Sequence, residues 1–189
     1  VAERNPSDRA DDWQVIDSRI LADRSPYVVI YDEDLRLPDG TILTEFVRVD
    51  IPPFAIVFAV LEDGRVPFVR QYRRATGSYT LELPAGHLEP GEEALTCAQR
   101  ELHEEAGIEA DDWQFLGQYV MNANRGCGWG YAFLARGARI VGESHHGDVG
   151  EMSVHLLPLD EARRIWEAGE LVIAPVALTV GLALNALGK

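Results

Sequence analysis

Basic residues and cysteines are scarce in this chain of 189 residues. Lysine and arginine number 17 against 31 aspartates and glutamates, a net charge of −14 at pH 7 and an isoelectric point of about 4.7. A surface of that sign repels polynucleotide phosphates and anionic membranes, which argues against a nucleic-acid substrate and against membrane association. The two cysteines, Cys97 and Cys127, are too few for a disulfide framework, and their spacing offers no zinc site. They read as free thiols in a reducing cytoplasm. Long apolar runs are also missing. The longest, Leu171–Leu187, is broken by Pro175, Thr179, Gly181 and Asn185 and falls short of the ~20 residues a bilayer span needs. It reads as a buried C-terminal helix. The polar stretch Val1–Asp12 lacks the apolar centre of a signal peptide, so the expected location is cytoplasmic.

What remains suits one globular domain with a small N-terminal extension, since 47% of the residues are hydrophobic. Trp13–Leu21, Tyr27–Leu35 and Ile42–Val49 are rich in β-branched and aromatic residues and read as strands, with a turn at Pro38-Asp39-Gly40. Ala55–Leu61 and Val66–Tyr72 flank Glu62-Asp63-Gly64 and predict a second, more buried hairpin. Tyr79–Leu83, Trp113–Val120, Gly130–Ala135 and Met152–Leu157 are strand-like; Asp160–Ala168 and Pro175–Leu187 are helical. There is no internal repeat. The sum is mixed α/β (α+β): a curved mixed sheet with helices on its faces.

The chemistry concentrates between Gly86 and Ile108. Gly86-His87-Leu88-Glu89-Pro90-Gly91-Glu92 is followed, after seven residues, by Arg100-Glu101-Leu102-His103-Glu104-Glu105-Ala106-Gly107-Ile108. Pro90-Gly91-Glu92 reads as a turn into a helix that starts near Glu92 or Glu93, with acids in its first turn, and ends at Ala106 with Gly107 as cap. Leu95, Ala98 and Leu102 fall on one stripe of that helix, and Glu101, Glu104 and Glu105 cluster on the adjacent face. Three crowded carboxylates repel one another. Either they form a solvated acidic face or a hard cation such as Mg²⁺ or Mn²⁺ compensates them. An anionic substrate would also need a local cationic patch, and Arg70, Arg73 and Arg74 supply the candidates.

This run resembles the Nudix box at every fixed position. Gln71-Tyr72-Arg73, Glu82-Leu83-Pro84-Ala85-Gly86, and the later Glu151-Met152-Ser153-Val154, Leu159-Asp160-Glu161-Ala162 and Gly169-Glu170 extend the resemblance to the ADP-ribose pyrophosphatase and nucleoside-diphosphate-sugar hydrolase branch over about residues 13–187. The resemblance implies the Nudix fold, with a β-hairpin extension over residues 1–50 and a hydrolase domain over 51–189. It also implies a homodimer that exchanges N-terminal strands, and metal-dependent hydrolysis of a pyrophosphate bond in a small nucleotide.

The same resemblance assigns roles. Glu101, Glu104 and Glu105 hold Mg²⁺ or Mn²⁺ together with the backbone carbonyl of Ala85. Arg100 reaches Glu92, pointing away from the glutamates, and keeps loop and helix in register. Arg73 holds the diphosphate, and Glu82 sits near the nucleotide or bridges the dimer. Glu151 is the matching general base, with Asp148 as second choice, in a loop that also carries His145 and His146. The loop Asn122–Gly130 offers amides, Arg125 and Trp129 to a sugar or base. One departure bears on the substrate. A proline expected downstream of the box in ADP-ribose-specific enzymes is absent between Pro90 and Pro158. That leaves open a Nudix enzyme acting on dinucleoside polyphosphates or nucleoside triphosphates. A separate alternative is a Nudix-fold nucleotide sensor without hydrolysis; such modules usually lose box acids, and none is lost here.

Overall fold

The computed structural model describes residues 13–142 and 152–188. Its elements in chain order are β1 (Gln14–Arg24), β2 (Val28–Arg36), β3 (Ile42–Asp50), β4 (Phe54–Leu61), β5 (Arg65–Arg73), β6 (Ser78–Glu82), β7 (Ala85–His87), α1 (Ala94–Ala106), β8 (Ile108–Glu109), β9 (Asp112–Asn122), β10 (Cys127–Ile140), β11 (Ser153–Pro158), α2 (Leu159–Glu167) and α3 (Ala174–Ala186). They fall into two compact units. Among the described residues, one holds 13–52 together with Asn122–Gly128; the other holds Pro53–Met121, 129–142 and 152–188.

The first unit is an antiparallel sheet in the order β1-β2-β3. The turn at Pro38-Asp39-Gly40 closes as its residues dictate, with Asp39 Oδ1 accepting the Thr41 N–H at 2.9 Å. The buried carboxylate of Glu33 is compensated by Arg48, whose Nε donates to it at 2.8 Å and whose guanidinium lies 4.0 Å from the Tyr31 ring centroid. The tip Asn122–Gly128 joins this unit through the Arg125 carbonyl, which accepts the Val49 N–H at 3.0 Å. Every residue of β1 is exposed.

In the second unit β4 is central, because its residues are apolar on both faces. Ala55, Val57, Ala59 and Leu61 point to one core with Cys97, Ala98 and Leu102 of α1. Ile56 and Phe58 point to the other, with Val176, Val180 and Leu184 of α3 and Ile165 of α2. The sheet is thus sandwiched between helices. Strands pair in the order β7-β4-β10-β8, with β4 and β10 parallel, and β9 adds to β10. A separate antiparallel sheet runs β11-β5-β6.

The hairpin expected between Ala55–Leu61 and Val66–Tyr72 does not form. The chain does turn, with the Gly64 N–H on the Leu61 carbonyl. Both edges of β4 are already taken by β7 and β10, so β5 pairs with β6 and β11 instead. Turn residues say where a chain reverses, not which edges meet. Among the described residues no helix is long and apolar enough to cross a membrane.

Candidate active site

The helix α1 begins at Ala94, slightly later than expected, and has no acid in its first turn; Gly107 caps it in the left-handed region at φ 63°. Its buried stripe is Cys97, Ala98, Glu101, Leu102 and Ala106, whereas Leu95 is 40% exposed. The stripe is therefore rotated from the expected one, and a glutamate sits within it. Glu101 lies in the layer facing the sheet, not on a neighbouring solvated face.

Two acids meet the Ala85–Gly86 corner of β7. The Ala85 N–H donates to Glu105 Oε2 at 3.0 Å. The Glu101 carboxylate lies flat against Gly86, so closely that a Cβ built there would fall inside it. That close approach explains the glycine that opens the motif. Burial pushes the Glu105 carboxyl up to about 7, and the negative charge of Glu101 adds to the rise; the Ala85 N–H and Arg73 oppose it. Burial raises Glu101 as well, against the pull of Arg100. Acids held in this way are poised to gain from a cation.

Arg100 does more than expected. Its Nε and Nη2 fork onto the two oxygens of Glu92, both at 3.0 Å, and Nη2 also reaches the His87 carbonyl at 3.2 Å. This ties the loop before the helix to the helix, and it holds the Glu92 carboxyl down at about 2. The same guanidinium does not point away from the glutamates. Its Nη1 donates to Glu101 Oε1 at 2.6 Å and to Glu104 Oε2 at 3.1 Å. Glu104 is exposed. The three box glutamates are thus shared out, two on Arg100 and one on the Ala85 N–H. Among the described residues no three acid, histidine or cysteine side chains converge as a ready-made cage. The donor set still fits a hard divalent cation, because every side chain on offer is a carboxylate and Glu101 and Glu105 flank one backbone corner.

A cavity of about 270 Å³ opens on that corner, lined by Phe54, Arg73, Glu82, Ala85, Gly86 and Pro175 among others. Arg73 is half exposed and pairs with Glu82, Nε on one oxygen and Nη2 on the other, each at 2.6 Å. Thr80 also donates to Glu82, at 2.6 Å. Both Glu82 oxygens are thus engaged within the chain. Nothing in the sequence sets Thr80 apart, although the spacing Thr80–Glu82 places the two on one strand face.

Arg70 lies 4.0 Å over the Tyr79 ring and, by strand alternation, on the face opposite Arg73, so the expected arginine cluster divides. Arg125 donates to the Val47 carbonyl at 3.2 Å. Trp129 is 42% exposed. Glu151, Asp148, His145 and His146 lie outside the described residues. Both cysteines are free; Cys97 is buried, which raises its thiol to about 12.

A NUDIX domain is matched over residues 52–174. The chain is 34% identical over 183 residues to an ADP-ribose pyrophosphatase of Mycobacterium tuberculosis, covering 93% of this chain and 84% of that protein. An ADP-ribose pyrophosphatase of Bacillus subtilis is 30% identical over 152 residues, or 80% and 82% of the two chains. The fold matches a solved ADP compounds hydrolase with a TM-score of 0.77 at 23% identity, over 96% of this chain and 97% of that one.

Proposed function

We propose, because the chain belongs to the Nudix family of hydrolases, that it cleaves the pyrophosphate bond of ADP-ribose or a nucleotide sugar to a nucleoside monophosphate and a sugar phosphate. ADP-ribose would give AMP and ribose 5-phosphate. One observation carries the reading: a fixed guanidinium, Arg73, shares a cavity with the backbone corner that Glu101 and Glu105 touch. Hydrolysis of a diphosphate needs both a cation for the phosphates and acids for a metal. The relatives named as ADP-ribose pyrophosphatases support the choice of substrate.

Glu101, Glu104, Glu105 and the Ala85 carbonyl would hold Mg²⁺ or Mn²⁺, which when bound neutralises phosphate charge and polarises the phosphoryl oxygens. Arg73 binds and orients the diphosphate. Glu151, or Asp148 in its place, takes the proton from the attacking water. Arg100 holds the loop through Glu92 and keeps Glu101 and Glu104 near the corner. Arg125 is assigned no contact with the diphosphate; its place is the loop that would read sugar or base. The two free thiols support a reducing, cytoplasmic setting.

We assign residues 1–50 to dimerisation and 51–189 to hydrolysis. The support is β1, exposed throughout although it carries Val15, Ile16, Ile20 and Leu21. An apolar strand of this kind calls for a cover, and a second copy of the chain is the assigned one. Sedimentation should give a dimer that Ile20→Glu weakens; a monomeric parent would remove the assignment.

The missing proline between Pro90 and Pro158 favours one second reading, hydrolysis of dinucleoside polyphosphates or triphosphates. Incubation with Mg²⁺ or Mn²⁺ and a panel of ADP-ribose, GDP-mannose, UDP-glucose, diadenosine polyphosphates and nucleoside triphosphates separates the two. AMP and ribose 5-phosphate, identified by mass, are the expected products. Intact ADP-ribose beside cleaved triphosphates would replace the first reading with the second.

A further inference from the structure

Arg73 stands at the end of β5, where its ladder partner is Ser78; Glu82 is opposite Val69, at the far end of the pairing. Those four steps correspond to about 13 Å of strand. The arginine side chain must therefore fold back along the hairpin to meet Glu82. Gln71 and Arg73 of β5 share one sheet face with Ser78, Thr80 and Glu82 of β6. A long side chain with 47% exposure has many conformations open to it, and holding one costs rotamer entropy.

Glu82 imposes the single conformation. It is 5% exposed, and its two oxygens take the Nε and Nη2 hydrogens of Arg73 in a fork. The carboxylate is itself fixed by Thr80, which is also 5% exposed and whose Oγ1 lies 2.6 Å from Glu82 Oε1. The alternative acceptor for that hydroxyl, the Gln71 carbonyl, is 3.4 Å away. A hydroxyl has one proton to give, and the shorter contact to a charged acceptor takes it. Among the described residues Nη1 of Arg73 takes no hydrogen bond, and Arg73 lines the cavity. Packing alone would accept valine at position 80, which has nearly the same shape and suits a strand. The hydroxyl is what valine lacks.

We propose that Thr80 is a positioning residue for the substrate diphosphate: its hydroxyl sets the plane of the Glu82 carboxylate, and Glu82 then aims the free Nη1–H pair of Arg73 into the cavity. This inference rests on the reading that a diphosphate binds beside Arg73, and it adds what aims that arginine. Thr80 touches neither phosphate nor reacting atoms. Its whole effect on substrate must pass through Arg73.

That dependence gives the test. Steady-state kinetics with ADP-ribose and Mg²⁺ are measured for the parent, Thr80→Val, Thr80→Ser, Arg73→Ala and the Thr80→Val/Arg73→Ala pair. Thr80→Val should raise KM about tenfold and change kcat less than about threefold, the pattern of lost binding and not of lost chemistry. Thr80→Ser, which keeps the hydroxyl, should return KM to within about twofold of the parent. In the Arg73→Ala background Thr80→Val should change nothing further. Thr80→Val and Arg73→Ala effects that multiply, or Thr80→Val with parental KM, would overturn the inference. A parent that leaves ADP-ribose intact counts against the proposed substrate, and solvent exchange of the Arg73 Nε–H, followed by NMR, then decides the positioning. Faster exchange in Thr80→Val supports it; an unchanged rate overturns it.

Discussion

Replacing Glu105 by glutamine should stabilise the metal-free protein while destroying its activity. The carboxyl moves from its ordinary 4.5 to about 7 chiefly because it is buried. Below 4.5 it is neutral in folded and unfolded chains alike, so burial costs nothing through charge. As pH rises from there the unfolded chain gives up its proton first, and the folded state loses stability until the pH passes about 7. The full loss corresponds to about 3 kcal/mol. That figure is already net of the Ala85 N–H and of Arg73, both of which favour the carboxylate, and glutamine, a neutral stand-in for the protonated acid, removes it. The gain is up to about 3 kcal/mol, or about 6–12 °C in Tm for a chain of this size. Thermal melts in chelator at about pH 8 and about pH 5 check it: the variant should melt higher at the first, and most of the difference should vanish at the second. Mg²⁺ or Mn²⁺ should raise the parent's Tm and leave the variant's nearly unchanged. A variant that melts lower than the parent at the higher pH, or that turns over ADP-ribose as fast, would refute the assignment of Glu105 as a buried ligand.

Glu92→Gln acts with the opposite sign, because Arg100 holds the Glu92 carboxyl at about 2: stability from this pair is complete above 4.5 and is lost as pH falls through about 2. Losing the charge of this pair should cost about 1–2 kcal/mol at neutral pH, the worth of a charge-assisted hydrogen-bonded pair near the surface. Acid-unfolding curves should show less dependence on pH in the variant; parallel curves would contradict the pairing. Gly86→Ala puts a methyl group into the Glu101 carboxylate and should cost about 1–3 kcal/mol and most of the Mn²⁺ affinity, read by calorimetry. Parental affinity would show that Glu101 is not held at this corner. Glu151→Gln should lower kcat by about a hundredfold with little change in KM, and Asp148→Asn should not; the reverse order would transfer the base to Asp148.

Local signals carried most of the fold. The strand runs were legible because β-branched and aromatic residues cluster between Gly, Pro and Asp turns, and α1 because Gly107 stops it. The partnering of β4 and β5 was not legible, since Glu62-Asp63-Gly64 marks a turn whether or not the flanking strands pair. The box was legible by spacing, but its facing was not. Periodicity counts glutamate as a surface residue, so it assigned the inward position to Leu95, where the structure puts Glu101. Motif spacing points Arg100 to Glu92 alone; its length and several donors let it bridge Glu101 and Glu104 too. Thr80 escaped notice because a threonine in a strand is ordinary, and only its contact with a buried carboxylate gives it meaning.

Glu101 and Glu105 are proposed to share a divalent cation at the Ala85–Gly86 corner. Anomalous diffraction from a crystal soaked in Mn²⁺ measures this directly. A peak within bonding distance of both carboxylates, with Glu101 released from Arg100, is the predicted result. No peak there, with Glu101 still on Arg100 and Glu105 still on the Ala85 N–H, would contradict it.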